Sequence, residues 1–216
     1  MSTYTSIQAG YEKIAESFSQ TRQNFWRDLS FIKEYIKENN KILDFGCGNG
    51  RLIELIKNKK VTYLGIDVCQ KFIKIARKKY PQHKFELIKL NTDFSLKHKE
   101  EFDSIFCIGV FHHFPKEQSR KIILQRLKKS LKPNGFLIMT VWDLDRLKYK
   151  KYLPESNEGY VPFKNNQREI IFNRYCYHWK LAELKDFITT AGFKIIKAGH
   201  TKRNDQPANL YCIAQK

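Results

Sequence analysis

Hydrophobic and polar residues follow two different periods along the chain. Over residues 2–39 the apolar positions recur every three or four residues, as on one face of a helix. From residue 41 onward, short apolar runs bounded by turn residues alternate with further helical segments. Because an apolar run buried on both faces is typical of parallel sheets, this alternation predicts an α/β protein with a doubly wound sheet.

Seven strands are predicted, and a loop rather than a helix joins the last two. That connection predicts an antiparallel last hairpin closing a mostly parallel, Rossmann-like, seven-stranded sheet. The predicted strands cover residues 41–45, 61–67, 84–90, 102–109, 136–142, 193–199 and 210–215. The predicted helices cover residues 51–59, the segment around Phe72, 115–131 and 181–191. The aromatic and basic stretch over residues 143–177 is predicted to be largely irregular.

The length of 216 residues suits one domain with a single core. We expect N-terminal helices over residues 1–39, a cofactor-binding core over 40–142, a substrate-side insertion over 143–177, and a C-terminal helix with strands over 178–216. The polar start of the chain does not resemble a signal peptide, and no apolar run is long enough to cross a bilayer. Five widely spaced cysteines fit a reducing compartment, so we expect a cytoplasmic protein without a membrane partner.

The net charge of +18 is the strongest compositional feature. A surplus of this size attracts polyanions through counterion release, which makes RNA the favoured partner. The alternative is that a lysine-rich composition only decorates a solvated surface. Charge by itself does not decide between these two interpretations.

A glycine-rich turn carries the most specific signal in the chain. It reads DFGCGNG over residues 44–50, directly after a predicted strand and before a predicted helix. Glycines let the backbone approach a ligand closely, and a helix N-terminus offers free N–H groups. A dinucleotide fold requires a small residue at position 51, where this chain has Arg51. Asp67 ends the second strand about 20 residues further on, where an acid accepts bonds from ribose hydroxyls.

The D-x-G-x-G-x-G spacing resembles the first motif of class I methyltransferases that use S-adenosylmethionine (SAM). Three further stretches occur in the family's order: LNT at residues 90–92, FD at 102–103 and LKPNGF at 131–136. Asn91 stands where many relatives carry Asp, and its amide oxygen still accepts a hydrogen bond. The resemblance implies SAM as the cofactor and no metal. It implies cofactor contacts from Tyr11, Arg22, Asp44, Gly46, Cys47, Gly48, Asn49, Asp67, Val68, Asn91, Thr92, Cys107 and Ile108.

Nearly the whole chain is similar to the tRNA wobble-uridine carboxymethyl O-methyltransferases. The similar stretches are residues 11–22 with Trp26, CIGVFHH at 107–113, VW at 141–142, YVPFK at 160–164 and RYCYH at 174–178. The resemblance implies esterification of a carboxymethyl group on a modified wobble uridine in the tRNA anticodon loop. It also implies a possible partner, the small zinc-binding adaptor subunit with which the eukaryotic enzymes work.

By the same resemblance, Arg22 would hold the substrate carboxylate. The other implied pocket residues are His112, His113, Trp142, Arg174 and His178. Each also has a structural interpretation: Arg22 could pair with a surface carboxylate, one of the two histidines could cap the next helix, and Trp142 could belong to the core. A carboxylate is already ionised at neutral pH, so the reaction requires no strong base.

Three other functions fit parts of this pattern. The first is a SAM-dependent methyltransferase of a small carboxylate, phenol or amine, with an incidental positive charge. The second transfers an unusual group from a SAM derivative to tRNA. The third is a non-catalytic RNA-binding subunit, which would have no need of the intact glycine turn and Asp67.

Overall fold

Seven strands form one sheet in the order β3-β2-β1-β4-β5-β9-β8. The computed structural model describes residues 3–216 except 23, 90, 146–148, 150, 154–155 and 166, with side chains described from residue 6. The strands of this sheet are β1 (Lys41–Phe45), β2 (Thr62–Asp67), β3 (Lys84–Leu87), β4 (Phe102–Ile108), β5 (Leu131–Trp142), β8 (Lys194–Arg203) and β9 (Gln206–Gln215). The first five pair in parallel, whereas β9 pairs antiparallel with β5 and β8. The predicted Rossmann-like sheet and its antiparallel last hairpin are confirmed.

Consecutive side chains of the central strands enter two different apolar cores. On β1, Ile42 and Leu43 belong to opposite cores, and Phe106 and Ile105 do the same on β4. All four side chains are fully buried. Such strands carry continuous apolar runs because both faces of a parallel sheet are covered.

Helices cover both faces of the sheet. They are α1 (Thr3–Thr21), α2 (Ile53–Ile56), α3 (Gln70–Lys79), α4 (Glu117–Ser130) and α5 (Leu181–Thr190), with a 3-10 helix over Arg27–Tyr35. Among the described helices, none combines the length and apolarity needed to cross a membrane. The five cysteines are free and buried, as expected of thiols that pack as small apolar groups.

Three elements differ from their sequence predictions. The helix predicted over residues 51–59 is reduced to the single turn of α2. Residues 132–135, predicted as a turn before the fifth strand, form an irregularity inside β5, with Leu131 already paired to Phe102. The stretch predicted as irregular contains a hairpin of β6 (Glu158–Lys164) and β7 (Ile170–Tyr177).

The β6–β7 hairpin packs on α1 rather than joining the main sheet. At the contact, a Cβ on Gly10 would lie 2.3 Å from the Phe172 ring, so the helix backbone rests directly on β7. In β6, buried Val161 and Phe163 alternate with more exposed neighbours. Pro162 interrupts this short pattern, and a proline within a run weakens a strand assignment from sequence.

Asp28 ties the 3-10 helix to the β8–β9 hairpin. Its side chain is 4% exposed and accepts hydrogen bonds from Thr201 Oγ1 (2.9 Å), Asn209 Nδ2 (3.2 Å) and the guanidinium of Arg203 (2.7 and 3.1 Å). A buried carboxylate with this many donors holds two segments separated by more than half of the chain.

We expect Asp28→Ala to lower the free energy of unfolding by about 3 kcal/mol, because it leaves buried donors without an acceptor. Asp28→Asn keeps one acceptor oxygen and should cost less. Urea denaturation of the two variants checks this. An alanine variant as stable as the wild type would contradict the role of Asp28.

Candidate active site

A cavity of about 380 Å³ opens at the carboxyl ends of β1, β2 and β4. Because β1 lies between β2 and β4, the strand order runs in opposite directions on the two sides of β1. Ligands of doubly wound sheets bind at such a switch point. Residues of α1, the glycine turn, the end of β2 and the β6–β7 hairpin line the cavity.

The glycine turn is fixed by the backbone of β2. Gly46 N and Cys47 N donate to the Ile66 carbonyl oxygen at 2.8 and 3.0 Å. Gly46 has φ +75°, and a Cβ there would lie 2.4 Å from Val110 Cγ2, so this glycine is required by packing. Gly48 has φ +54°, and a Cβ there would meet no atom within 4 Å, so its backbone faces open space in the cavity.

Asp67 lies at the end of β2 and braces the same turn. Its Oδ2 accepts from Gly48 N and its Oδ1 accepts from Cys69 N, both at 2.8 Å. Burial raises the pKa of Asp67, and the backbone N–H groups act in the opposite direction. A carboxylate has about four acceptor positions, so the two oxygens can still accept bonds from two ribose hydroxyls. The site therefore fits the ribose of SAM.

Asp44 is the other buried carboxyl group of the cavity. Tyr63 donates its hydroxyl to Asp44 Oδ2 at 2.8 Å, and burial raises the pKa of Asp44 to about 7. A carboxyl poised near neutrality becomes ionised when a cation is placed beside it. SAM carries a sulfonium and an ammonium group, which suits an acid in this position.

Tyr11 connects α1 to the loop after β4. Its hydroxyl lies 2.9 Å from His113 Nε2, and His113 Nδ1 lies 2.7 Å from the Tyr175 carbonyl oxygen. Because a carbonyl only accepts, Nδ1 carries the proton and Nε2 accepts from Tyr11. Burial lowers the pKa of His113 to about 4 and raises that of Tyr11 to about 12, so both are neutral at pH 7.

His112, His113 and Cys176 lie close together, with their ligand atoms within 4.8 Å of one another. Both ring nitrogens of His113 are already engaged. Burial, and to a smaller extent the positive charge of Arg174, lowers the pKa of both histidines, and the same charge repels a cation. The donor set therefore does not fit a metal cation. His112 instead packs between His113 and Trp142, with ring centroids 4.1 and 4.7 Å away.

Two arginines from different elements line the cavity. Arg22 follows α1 and lies 4.3 Å over the Phe18 ring, whereas Arg174 lies on β7, 4.6 Å over the Trp142 ring. Both guanidinium groups flank Phe163, at 5.6 and 5.5 Å from its ring centroid. Burial, and then the charge of Arg174, lowers the pKa of Arg22, which places the two cations near each other.

This arginine pair has no carboxylate partner among the described residues. Arg174 is 7% exposed, donates long hydrogen bonds of 3.4 and 3.3 Å to the carbonyls of Val161 and Pro162, and also interacts with the Tyr11 hydroxyl. Arg22 donates to the Thr21 hydroxyl at 2.8 Å. The surface ion pair considered for Arg22 is therefore not observed within the part of the chain that is described.

The cavity wall includes most of the residues predicted for the site. It contains Tyr11, Arg22, Asp44, Gly46, Cys47, Gly48, Asn49, Asp67, Val68, Ile108, His113, Trp142 and Arg174. Asn49 also donates its side-chain amide to the Arg22 carbonyl oxygen at 3.1 Å, which ties the glycine turn to the segment after α1.

Five predicted residues lie away from the cavity wall, and their proposed roles stay predictions. Asn91 and Thr92 are exposed after β3, and residue 90 of the same motif lies outside the described residues. The Cys107 side chain points into the core because alternate residues of β4 face opposite sides. His112 is wholly buried, and His178 lies 3.2 Å from Asp145 Oδ1. Neither His112 nor His113 caps α4, whose N-cap residue is Lys116.

Sequence reasoning missed several residues of the wall. Phe18 and Phe72 contact Tyr11 in an aromatic cluster, and Trp26 and Arg51 close the side of the glycine turn. Arg51 follows the turn directly, so its position was a usable signal. The aromatic residues gave no such signal, because an apolar position on a helix usually indicates a residue of the hydrophobic core.

Comparisons with known proteins agree with this geometry. Residues 43–137 match the family model described as "Methyltransferase domain". The tRNA (carboxymethyluridine(34)-5-O)-methyltransferase of Schizosaccharomyces pombe is 26% identical, over 90% of this chain and 91% of the relative. The Arabidopsis thaliana protein of the same name is 34% identical over 61% of this chain, and the match spans 31% of that relative. A Haloferax volcanii methyltransferase, solved in complex with a methyltransferase activator, shares the fold, with TM-score 0.71, 14% identity and 97% coverage of each chain.

We expect Gly48→Ala to remain folded but to lose most of its affinity for SAM. The left-handed backbone costs about 1–2 kcal/mol with a Cβ, whereas the methyl group itself meets open space that the ligand needs. Calorimetric titration with SAM and thermal unfolding check both parts. Gly46→Ala is the matched control and should lose more stability, because its Cβ overlaps Val110. Unchanged SAM affinity in Gly48→Ala would contradict the assignment.

The affinity for SAM should rise with pH between about 6 and about 8. The pKa of Asp44 in the free protein is about 7, and the bound cation favours the ionised form, so binding releases a proton. Below pH 7 the dissociation constant should increase up to about tenfold per pH unit. Asp44→Asn removes the titrating group and should flatten the profile. A flat profile in the wild type would show that Asp44 does not respond to the cofactor.

Proposed function

The chain belongs to the class I methyltransferases that depend on SAM, and from this premise we propose that it methylates the carboxymethyl group of a modified wobble uridine in tRNA. The observation that carries the proposal is the arginine pair, Arg22 and Arg174, at the cavity with no carboxylate partner among the described residues. The relative from Schizosaccharomyces pombe, which aligns along nearly the whole chain, supports the same substrate class.

The arginine pair suits a substrate that carries a carboxylate. Two guanidinium groups close to each other repel, and an anion placed between them removes this repulsion. Arginine also binds carboxylates through two parallel hydrogen bonds, which fixes the orientation of both oxygens. Such an orientation is what a methyl transfer to one of these oxygens requires.

The titration behaviour of the cavity also favours a carboxylate over a phenol or an amine. At neutral pH a phenol or an ammonium group must lose a proton before it attacks, which requires a base with a pKa near 7. The pKa of His113 is about 4 and that of Tyr11 about 12, so neither group fits this role. Asp44, with a pKa of about 7, already accepts a hydrogen bond from Tyr63 at the end of β1 and is assigned to the cofactor in this proposal. A carboxylate is already ionised and requires none.

The residues of the chain then have separate tasks. When bound, SAM supplies an electrophilic methyl group. The glycine turn and Asp67 hold the cofactor, and the arginine pair aligns the carboxylate oxygen for in-line attack, so that positioning provides the rate enhancement. Trp142, at the end of β5, lines the cavity with Arg174 over its ring and His112 packed against it, so its task in this proposal is to support Arg174.

The charge of the molecule fits an RNA substrate, since a net +18 attracts the phosphate backbone. A small zinc-binding adaptor subunit belongs to this proposal as a partner. The Haloferax volcanii methyltransferase that shares this fold was solved in complex with a methyltransferase activator, which supports a partner of this kind.

The test is transfer of labelled methyl from SAM to tRNA that lacks the terminal methyl ester, followed by nucleoside mass spectrometry. Label that is released by mild alkali and is found on the wobble uridine is expected, because esters hydrolyse under these conditions. We expect Arg174→Met to lower kcat/KM by roughly a hundredfold, since a buried charged contact to the substrate is lost. Arg174→Lys keeps the charge and should lose less.

Lys74→Met is the matched control, because it removes one positive charge from an exposed position on α3. It should change kcat/KM little. Alkali-stable label, or label on another nucleoside, would overturn the carboxymethyl assignment. Transfer to small carboxylic acids without any need for RNA would favour the small-molecule function instead.

A further inference from the structure

Arg51 is a buried cation without an anion. Its side chain lies at the glycine turn, is 8% exposed, and neither pairs with a carboxylate nor donates a hydrogen bond to any residue that the structure describes. Its guanidinium stacks 3.3 Å over the Trp26 ring. Stacking satisfies the face of the guanidinium, whereas its in-plane N–H groups still require hydrogen-bond acceptors and reach an open groove where a ligand can supply them.

The surroundings of Arg51 increase this requirement. Burial, followed by the positive charges of Arg22 and Arg203, lowers the pKa of Arg51 to about 9. Arg203 is neutralised by Asp28, whose Oδ1 accepts two hydrogen bonds from its guanidinium, whereas Arg22 has no carboxylate partner in the described part of the chain. Asp44 acts on Arg51 only as the smallest of the four influences. The local balance is an excess of positive charge in a partly desolvated place.

These side chains line an open groove beside the cavity, which we call the arginine groove. Arg22, Arg51 and Arg203 form its charged wall, together with Trp26 and uncharged polar residues at positions 20, 21 and 24. The three arginines and Trp26 belong to the wall of the cavity as well. A group held in the arginine groove would therefore lie next to whatever occupies the cavity.

We propose that the arginine groove binds a backbone phosphate of the RNA, next to the nucleotide that enters the cavity, and that Arg51 is its main ligand. This inference rests on the proposed function, because RNA is the substrate that brings a phosphate to this place. The groove is open and polar, as a wall for a chain passing over the surface must be. An arginine fork matches the oxygen spacing of phosphate.

The other anion that could reach Arg51 is the carboxylate of SAM itself. The two sources differ in what the loss of Arg51 changes. A phosphate ligand makes RNA binding and its salt dependence sensitive to Arg51, because each neutralised phosphate releases counterions. A cofactor ligand makes the affinity for SAM sensitive instead.

The experiment measures binding of a fluorescent anticodon stem–loop RNA across a range of salt concentrations, and binding of SAM by calorimetry. In Arg51→Met, the RNA dissociation constant should rise roughly tenfold, and the salt slope should fall by about 0.7, the value of one single-strand phosphate contact. Arg51→Lys keeps the charge and should keep the slope. The dissociation constant for SAM should change by less than about threefold, which is under 1 kcal/mol.

Lys57→Met removes one charge from the exposed surface close to α2 and serves as the control. Thermal unfolding verifies that each variant is folded, and Arg51→Lys provides the readout if Arg51→Met is not. RNA binding by Arg51→Met equal to that of Lys57→Met overturns the inference and leaves the proposed function intact. So does a tenfold loss of SAM affinity with unchanged RNA binding, since the anion would then belong to the cofactor. A wild-type protein that binds no RNA overturns both.

Discussion

Four backbone N–H groups hold the cavity open. Those of Gly46 and Cys47 donate to the Ile66 carbonyl, and those of Gly48 and Cys69 donate to Asp67. The acceptors all lie at the end of β2, so the turn after β1 cannot collapse onto the sheet. The backbone of Gly48 therefore faces the cavity with no side chain over it, and the Asp67 carboxylate lies beside it.

The rest of the site is set by charge. Asp44 and Asp67 line the cavity at the carboxyl ends of β1 and β2, where their charge would favour a cationic cofactor. Arg22, Arg51 and Arg174 also line the cavity, and none of the three has a carboxylate partner among the described residues. A cofactor with a positive charge and a substrate with negative charges would each be stabilised beside the side chains of opposite charge.

The sequence was sufficient for the part of the site that is local in the chain. The glycine turn and Asp67 could be predicted because a strand, a turn and the next strand bring them together, whatever the rest of the fold does. The sequence could not show which of Cys107 and Ile108 faces the cavity, since this depends on how β4 is oriented in the sheet. Arg174 was expected from the resemblance, but its neighbours depend on the β6–β7 hairpin. That hairpin was not predicted, because Pro162 within β6 weakens a strand assignment from sequence.

The N-terminal segment connects the glycine turn to the arginine pair through hydrogen bonds. Asn49, in the glycine turn, donates to the backbone carbonyl of Arg22. The glycine turn therefore also positions one arginine of the pair. Tyr11 reaches His113, which in turn donates to the backbone of β7 beside Arg174. Both arginines are therefore positioned through contacts that begin at the cofactor side. The same hydrogen bonds therefore connect the glycine turn and α1 to both arginines.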